Sequence, residues 1–265
     1  LAFYGAEVIY DGVPSSFYDL RIVSFETGGD TDSPAGSEMV IYEKRILRKP
    51  KAYFFGRSNN APLTFDLTLA SKNPIDAITR SAIQKLFLGR EAYKDLYIVQ
   101  DDLASIHFET IFTSATNKYI GNVQRAITLH GQCNSPYAYS FPRTITRTFE
   151  GNGLVNYDFT IYNDSDNNDY LYPTVEFTLN SVGKDFQIIN HSDDDRTFLF
   201  SDLLPGETIV CDCDKQSIVS DTSLLRLSAF NKKWFRLRPK ENFLNIQSGI
   251  GTFTITYSEL KSIGA

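Results

Sequence analysis

Leu63, Phe65, Leu67 and Leu69 alternate with Thr64, Asp66 and Thr68, the two-residue period of a half-buried strand. The period then becomes helical. Asn73 is placed as a cap, Pro74 as the first helical residue and Asp76 in the first turn. Ile75, Ile78, Ala82 and Leu86 make one stripe with Ile83 and Phe87 beside it, and Gly89 supplies a stop, so the spacing predicts one helix over residues 74–88. Around this unit the pattern gives strands. Glu7–Tyr10 and Leu20–Glu26 read as paired runs, with turns at Asp11-Gly12 and Pro14-Ser15-Ser16; Leu96–Val99, Ala104–Phe112, Ile120–Val123 and Ala126–Gly131 follow. Thr27–Ser37 reads as an exposed, mobile loop.

The pattern changes at Ile127–Pro142, where an apolar strand runs into Cys-Asn-Ser-Pro-Tyr. Beyond it there is no helical window. Short runs recur at Tyr157–Tyr162, Val175–Leu179, Phe186–Ile189, Phe198–Phe200, Thr208–Cys213, Leu225–Leu227, Leu244–Gln247 and Thr252–Tyr257, separated by turn residues, as in a β-sandwich. The predicted fold class is mainly β in two domains: residues 1–141, sandwich-like with one α-helix and an extended β-arm, and residues 142–265, an all-β sandwich. The terminal segment Ser258–Ala265 is able to return to the first domain.

The arm is the run Met39–Arg48, which carries apolar residues on both faces and resumes after Pro50 at Ala52–Gly56. An open strand of this kind is an aggregation hazard, so its second face needs cover from the same chain or from another subunit. Met39, Val40, Ile41, Tyr42, Lys44, Ile46, Leu47, Tyr53 and Phe55 are the candidate subunit-interface residues. Lys44, Arg45, Arg48, Lys49 and Lys51 read as solvated edge charges or part of an intersubunit contact; acidic surroundings and the lack of a binding motif weigh against a nucleic-acid patch.

A length of 265 residues is comfortable for two cores, and the 42% hydrophobic, 22% charged, 14% aromatic composition is globular and tilted toward strands. Net charge is −6, with residues 1–141 carrying 14 basic and 15 acidic side chains and residues 142–265 carrying 12 and 17. Neither half has the basic excess of a sequence-specific nucleic-acid binder. No run approaches the roughly 18 apolar residues of a membrane span, and no signal peptide is expected. Cys133, Cys211 and Cys213 form no disulfide framework and read as reduced, buried thiols.

Candidate chemistry is sparse. His107, His130 and His191 show no metal-ligand spacing, there is no G-x-S-x-G elbow, and Gly249-Ile250-Gly251 lies between strands instead of opening a helix, so no catalytic residue, metal or cofactor is expected. Asp164, Asp166, Asn168 and Asp169 offer hard oxygens, yet Asp169 stands where a calcium loop needs Gly and Val175 where it needs Glu; the segment reads as a solvated hairpin tip. Asp193-Asp194-Asp195 has a weaker case still. Tyr157, Tyr162, Tyr170 and Tyr172 are the candidate carbohydrate-binding residues, because ring faces stack on sugars, although sandwich packing explains them equally well. A hydrolase using dispersed carboxylates has no identifiable acid and base pair.

Several ordered stretches carry a resemblance: the N-terminal strands, the strand–helix unit at 63–89, Tyr119-Ile-Gly-Asn-Val123, Cys133-Asn-Ser-Pro-Tyr-Ala138, Leu204-Pro-Gly-Glu-Thr-Ile-Val-Cys-Asp212, Trp234-Phe-Arg-Leu-Arg-Pro-Lys-Glu-Asn242, Gly249 and Thr252–Tyr257. Their order across nearly the whole chain resembles the distal tail proteins of long-tailed siphophages, the hub of the tail tip. Two positions depart from the family pattern: Glu241 stands where Gly is usual, and Asn163–Asp169 replaces an Asn-Pro-Gly turn. The resemblance implies a non-enzymatic virion protein, made in the bacterial host and placed at the tail tip. It implies a belt domain closing into a homo-hexameric ring and a C-terminal galectin-like sandwich projecting outward. Implied partners are the tail-tube protein, a tail-tip or tail-associated lysin-like protein and, at the periphery, receptor-binding proteins. The alternative is a carbohydrate-binding sandwich recognising a cell-wall glycan.

Overall fold

The computed structural model describes residues 6–23, 40–58, 61–150, 155–180, 185–249 and 251–263. The expected loop at Thr27–Ser37 lies outside them. The chain divides into two compact units, Leu1–Ser140 with Lys261–Ala265, and Phe141–Leu260. It is mainly β, with one α-helix among the described residues.

The first unit contains β1 (Glu7–Tyr10), β2 (Val13–Pro14), β3 (Leu20–Ile22), β4 (Val40–Lys44), β5 (Tyr53–Ser58), β6 (Thr64–Ser71), α1 (Ala77–Leu88), β7 (Lys94–Val99), β8 (Ile106–Ile120), β9 (Val123–Cys133) and β10 (Ala138–Ser140). Its main sheet runs β2-β1-β7-β8-β9-β6-β3, with β10 on β8. The runs at 7–10 and 20–22 therefore do not pair: β1 takes β7 and β3 takes β6. Ser15 links them instead, its buried hydroxyl accepting from the Val8 amide (3.2 Å) and donating to the Leu20 carbonyl (3.0 Å). Residues 120–123 are not a separate strand. Ile120 pairs with Val123 across a two-residue Gly-Asn turn in which Gly121 has φ +62°, a left-handed conformation that glycine adopts without strain.

The helix begins later than its sequence suggests. Asp76 is the cap, accepting from the Thr79 amide at 2.7 Å, because Asn73 donates its side chain to Asp19 (3.0 Å) and the Ile75 amide bonds the Gln124 carbonyl (3.0 Å). The inward stripe is Ile83, Leu86 and Phe87, while Ile78 is 82% exposed. Phe87 stacks on Tyr10 and meets Phe112 edge-on, anchoring the helix to the core. The Tyr10 hydroxyl donates to the Thr110 carbonyl, and burial pushes its pKa up to about 12.

The second unit is a pair of antiparallel sheets built from β11 (Arg143–Phe149), β12 (Val155–Asn163), β13 (Thr174–Leu179), β14 (Phe186–Asn190), β15 (Arg196–Phe200), β16 (Thr208–Asp212), β17 (Ser217–Ser220), β18 (Lys240–Ser248) and β19 (Gly251–Tyr257). One sheet is ordered β11-β19-β13-β16-β17 and the other β12-β18-β14-β15. Phe177 and Phe186, one from each sheet, stack at 4.0 Å in a core that also holds Phe198, Phe200, Phe230, Phe235 and Phe253. The last strand, β20 (Leu260–Lys261), pairs with β10.

Two readings of this half are corrected. Leu225–Leu227 is not a strand; Arg226–Ser228 is a short 3-10 turn with Leu225 94% exposed. Asn163–Asp169 is not a hairpin tip, since β12 and β13 belong to different sheets. Asn163, Ser165 and Asn167 turn inward and are buried; the Asp164 amide reaches the Glu259 carboxylate, the Asp166 amide bonds the Leu260 carbonyl, and the Ser165 hydroxyl accepts from the Leu260 amide.

Candidate functional site

The arm is a two-stranded sheet of its own, β4 against β5. Pairing Glu43 with Phe54 and Lys44 with Tyr53 puts Val40, Tyr42, Lys44 and Tyr53 on one face and Ile41, Glu43 and Phe54 on the other. Phe55 is the extra residue of a bulge between the Tyr42–Gly56 and Glu43–Phe54 pairs; Gly56 beside it has φ +144°. Both faces are open. Val40, Ile41, Tyr42, Ile46, Tyr53 and Phe54 are exposed, Phe55 is 70% exposed, and Leu47 at the turn is 88% exposed. The structure thus gathers every described member of the expected interface set on one hairpin, with Met39 outside the described residues. Phe54 belongs with them; its alternation with Tyr53 was the available signal.

The turn between the strands carries the basic residues. Arg48 has φ +67° and the Lys49 amide closes on the Ile46 carbonyl at 3.0 Å. Lys49 Nζ donates to the Tyr53 hydroxyl at 3.3 Å, and Arg45 lies 3.4 Å from Glu43. Among the described residues β4 and β5 pair only with each other, and an isolated two-stranded hairpin is marginal in water.

The four tyrosines are not gathered on one face. Tyr157 lies on the core-facing side of β12, stacked on Phe159 and tilted against Phe149, whereas Tyr162 stands on the opposite face with its hydroxyl donating to Glu241. One ring face of Tyr170 is covered by the Arg236 guanidinium, 3.7 Å from the ring centre, and Arg236 is itself held bidentately by Asp193. Tyr172 is exposed. Asp193, the first of the three consecutive aspartates, is therefore a structural ion-pair member. Burial raises its pKa, but the Arg236 hydrogen bonds and charge outweigh it and lower the net value.

Elsewhere in the first unit, a shallow depression of about 440 Å³ over β6, β8 and β9 holds His130 Nδ1 2.5 Å from Asp66 Oδ1. Both side chains are solvated, so chemistry that depends on excluding water has no shelter there. Among the described residues no three His, Cys, Asp or Glu side chains cluster to hold a metal, and no helix is long and apolar enough to cross a membrane. Sequence reasoning missed one further surface: Leu224, Leu225 and Leu227 stand exposed beside Val219 on the edge strand β17.

Family comparison covers both units: a domain described as the N-terminal domain of a phage tail protein matches residues 3–135, and one described as a phage tail C-terminal domain matches residues 137–257. The chain belongs to this phage tail protein family. Its fold is similar to that of SPP1 Dit, described as a paradigm of the hub adsorption apparatus in phages infecting Gram-positive bacteria (14% identity, TM-score 0.67, covering 95% of this chain and 98% of that one). It is also similar to a chain of the phage P2 baseplate in its activated conformation with Ca (10% identity, TM-score 0.53, 90% of each chain) and with Sr (10% identity, TM-score 0.52, 90% of each chain). No curated protein matches it by sequence.

Proposed function

We propose that this chain is a structural, non-enzymatic subunit of the phage tail tip, in which six copies close into a ring that joins the tail tube to the adsorption apparatus. The first unit serves as the belt, and its β4–β5 arm carries subunit contacts through Val40, Ile41, Tyr42, Leu47, Tyr53, Phe54 and Phe55. The second unit, a galectin-like sandwich, faces outward. Tail-tube protein stacks on one side of the ring and a tail-tip or lysin-like protein on the other, with receptor-binding proteins docked at the rim. The arm is the observation that carries this reading, since a hairpin apolar on both faces gains its stability only from a neighbour. Repeating one arm-to-neighbour contact around a rotation axis gives a heterologous interface that closes.

Native mass measurement and negative-stain imaging at assembly-level concentration test it. The expected species has six times the 30.0 kDa chain mass and a ring outline. A strictly monomeric species without rings would overturn the reading.

A further inference from the structure

The arm differs from the rest of the chain in charge as sharply as in exposure. Residues 40–58 hold six basic side chains and one acidic, a net of +5 in a chain of −6, so everything else sums to −11. That deficit is spread over both halves: residues 1–141 without the arm hold 8 basic and 14 acidic side chains (−6), and residues 142–265 hold 12 and 17 (−5). Arg45, Arg48, Lys49 and Lys51 flank the exposed Leu47 in sequence, and Lys44, Arg48 and Lys51 enter no ion pair among the described residues. A second copy of this chain therefore presents the opposite average charge to the arm on either unit.

We propose that the arm is an electrostatic latch, its cationic tip seated on an acidic face of a second copy of this chain, so that ionic strength regulates ring closure. This rests on the ring reading above and adds to it what drives the contact. The apolar faces supply contact area, while the +5 charge steers the arm to its neighbour and holds it there, a contribution that salt screens. An arm docked by apolar burial alone would respond with the opposite sign, because salt leaves such contacts unchanged or strengthens them.

The test compares the intact chain with two variants by native mass measurement and sedimentation from about 0.1 M to about 1 M NaCl, over which the Debye length shrinks from about 10 Å to about 3 Å. The intact chain is expected to need about tenfold more subunit for half-assembly at the upper end. Arg48→Glu/Lys49→Glu/Lys51→Glu is expected to stay unassembled at low salt with an unchanged melting temperature, because the tip is exposed and touches neither core. Ile41→Ser/Phe54→Ser is expected to weaken assembly while retaining the salt response. Rings that form equally at both salts, or that survive charge reversal, overturn the latch and leave the ring intact. Monomer under every condition overturns both. Retention of duplex DNA by the intact chain, lost on charge reversal while the rings persist, overturns the latch in favour of a nucleic-acid contact.

Discussion

Arg226 closes on Glu207 side-on through one edge of its guanidinium, Nε donating to Oε1 at 2.6 Å and Nη2 donating to Oε2. The Glu207 side chain has no exposed surface, and its remaining capacity is taken by Ser220, Thr222 and the Leu204 amide. One ion pair thereby fixes the 3-10 turn at 226–228 to β17 and to the start of β16. Arg226→Met leaves that carboxylate buried and unpaired, a defect costing about 3–5 kcal/mol. Denaturant unfolding read by Trp234, the single tryptophan, is expected to show a loss of that size in the second unit.

The same pair sets an acid response. Burial alone would raise the Glu207 pKa, but hydrogen bonds from Arg226, Ser220 and the Leu204 amide outweigh it and hold the value at about 2, below the ordinary 4.5. A carboxylate depressed in the folded state stabilises fully above its ordinary value and loses that contribution as pH falls toward 2, about 3 kcal/mol in all. Unfolding midpoints are expected to drop between pH 5 and pH 2 in the intact chain. In Arg226→Met the Ser220, Thr222 and Leu204 donors remain but the guanidinium does not, so the depression of the Glu207 pKa shrinks and the acid-dependent loss is expected to be smaller than in the intact chain.

Gly251 begins β19 where the sheet admits no side chain. A Cβ there would lie 1.9 Å from the Thr178 carbonyl oxygen, and the obstructing atom is backbone. Gly251→Ala forces β19 and β13 apart, with an expected cost of about 1–3 kcal/mol or more. Trp234 fluorescence checks it, and an unchanged midpoint would contradict the close approach.

Ser15 joins β1 and β3 with a single buried hydroxyl. Ser15→Ala strands the Val8 amide at about 1–3 kcal/mol. The loss is expected in the first unit, visible as a lower far-ultraviolet melting transition with the Trp234 transition unmoved.

The three thiols should be silent in the folded chain. Cys133, Cys211 and Cys213 are buried, and burial pushes the Cys133 thiol up to about 11, with the Thr110 hydrogen bond only partly opposing it. The Cys211 thiol is raised as well, first by its 3.9 Å contact with Cys213 and then by burial. A thiol-reactive chromophore is expected to label none at neutral pH and three after unfolding. Rapid labelling of the native chain would contradict the burial.

How much of this was legible depended on how local the determining contact was. Alternation at Leu63–Leu69 and the Asn-Asp-Gly-Pro punctuation of the second half sufficed for the β class. The apolar doubling at 39–56 marked the arm. The helix start was obscured because Asn73 and Pro74 looked like a cap and a first turn, while the decisive bonds run to Asp19 and Gln124, far along the chain. Ile120 and Val123 looked continuous with strands because β-branched residues flank a turn; the Gly121-Asn122 pair between them was the overlooked hairpin signal. Leu225 and Leu227 misled through hydrophobicity alone. What holds that segment is Arg226, whose buried partner lies 19 residues earlier. Tyr157 and Tyr162 stand on opposite faces of β12 because they are an odd number of residues apart, and Arg236 claims Tyr170 from a distant part of the sequence.

The pairing of β20 with β10 turns the second unit into an insertion: the chain leaves the first unit after Ser140 and re-enters it at Lys261, on strands that are hydrogen-bonded neighbours. A protease cutting one crossing leaves the other intact, so a single nick does not release either piece. For recombination between genomes the same arrangement makes a cassette. Its two splice points lie side by side in space though 120 residues apart in the gene, and a replacement sandwich needs only to start and finish on adjacent strands.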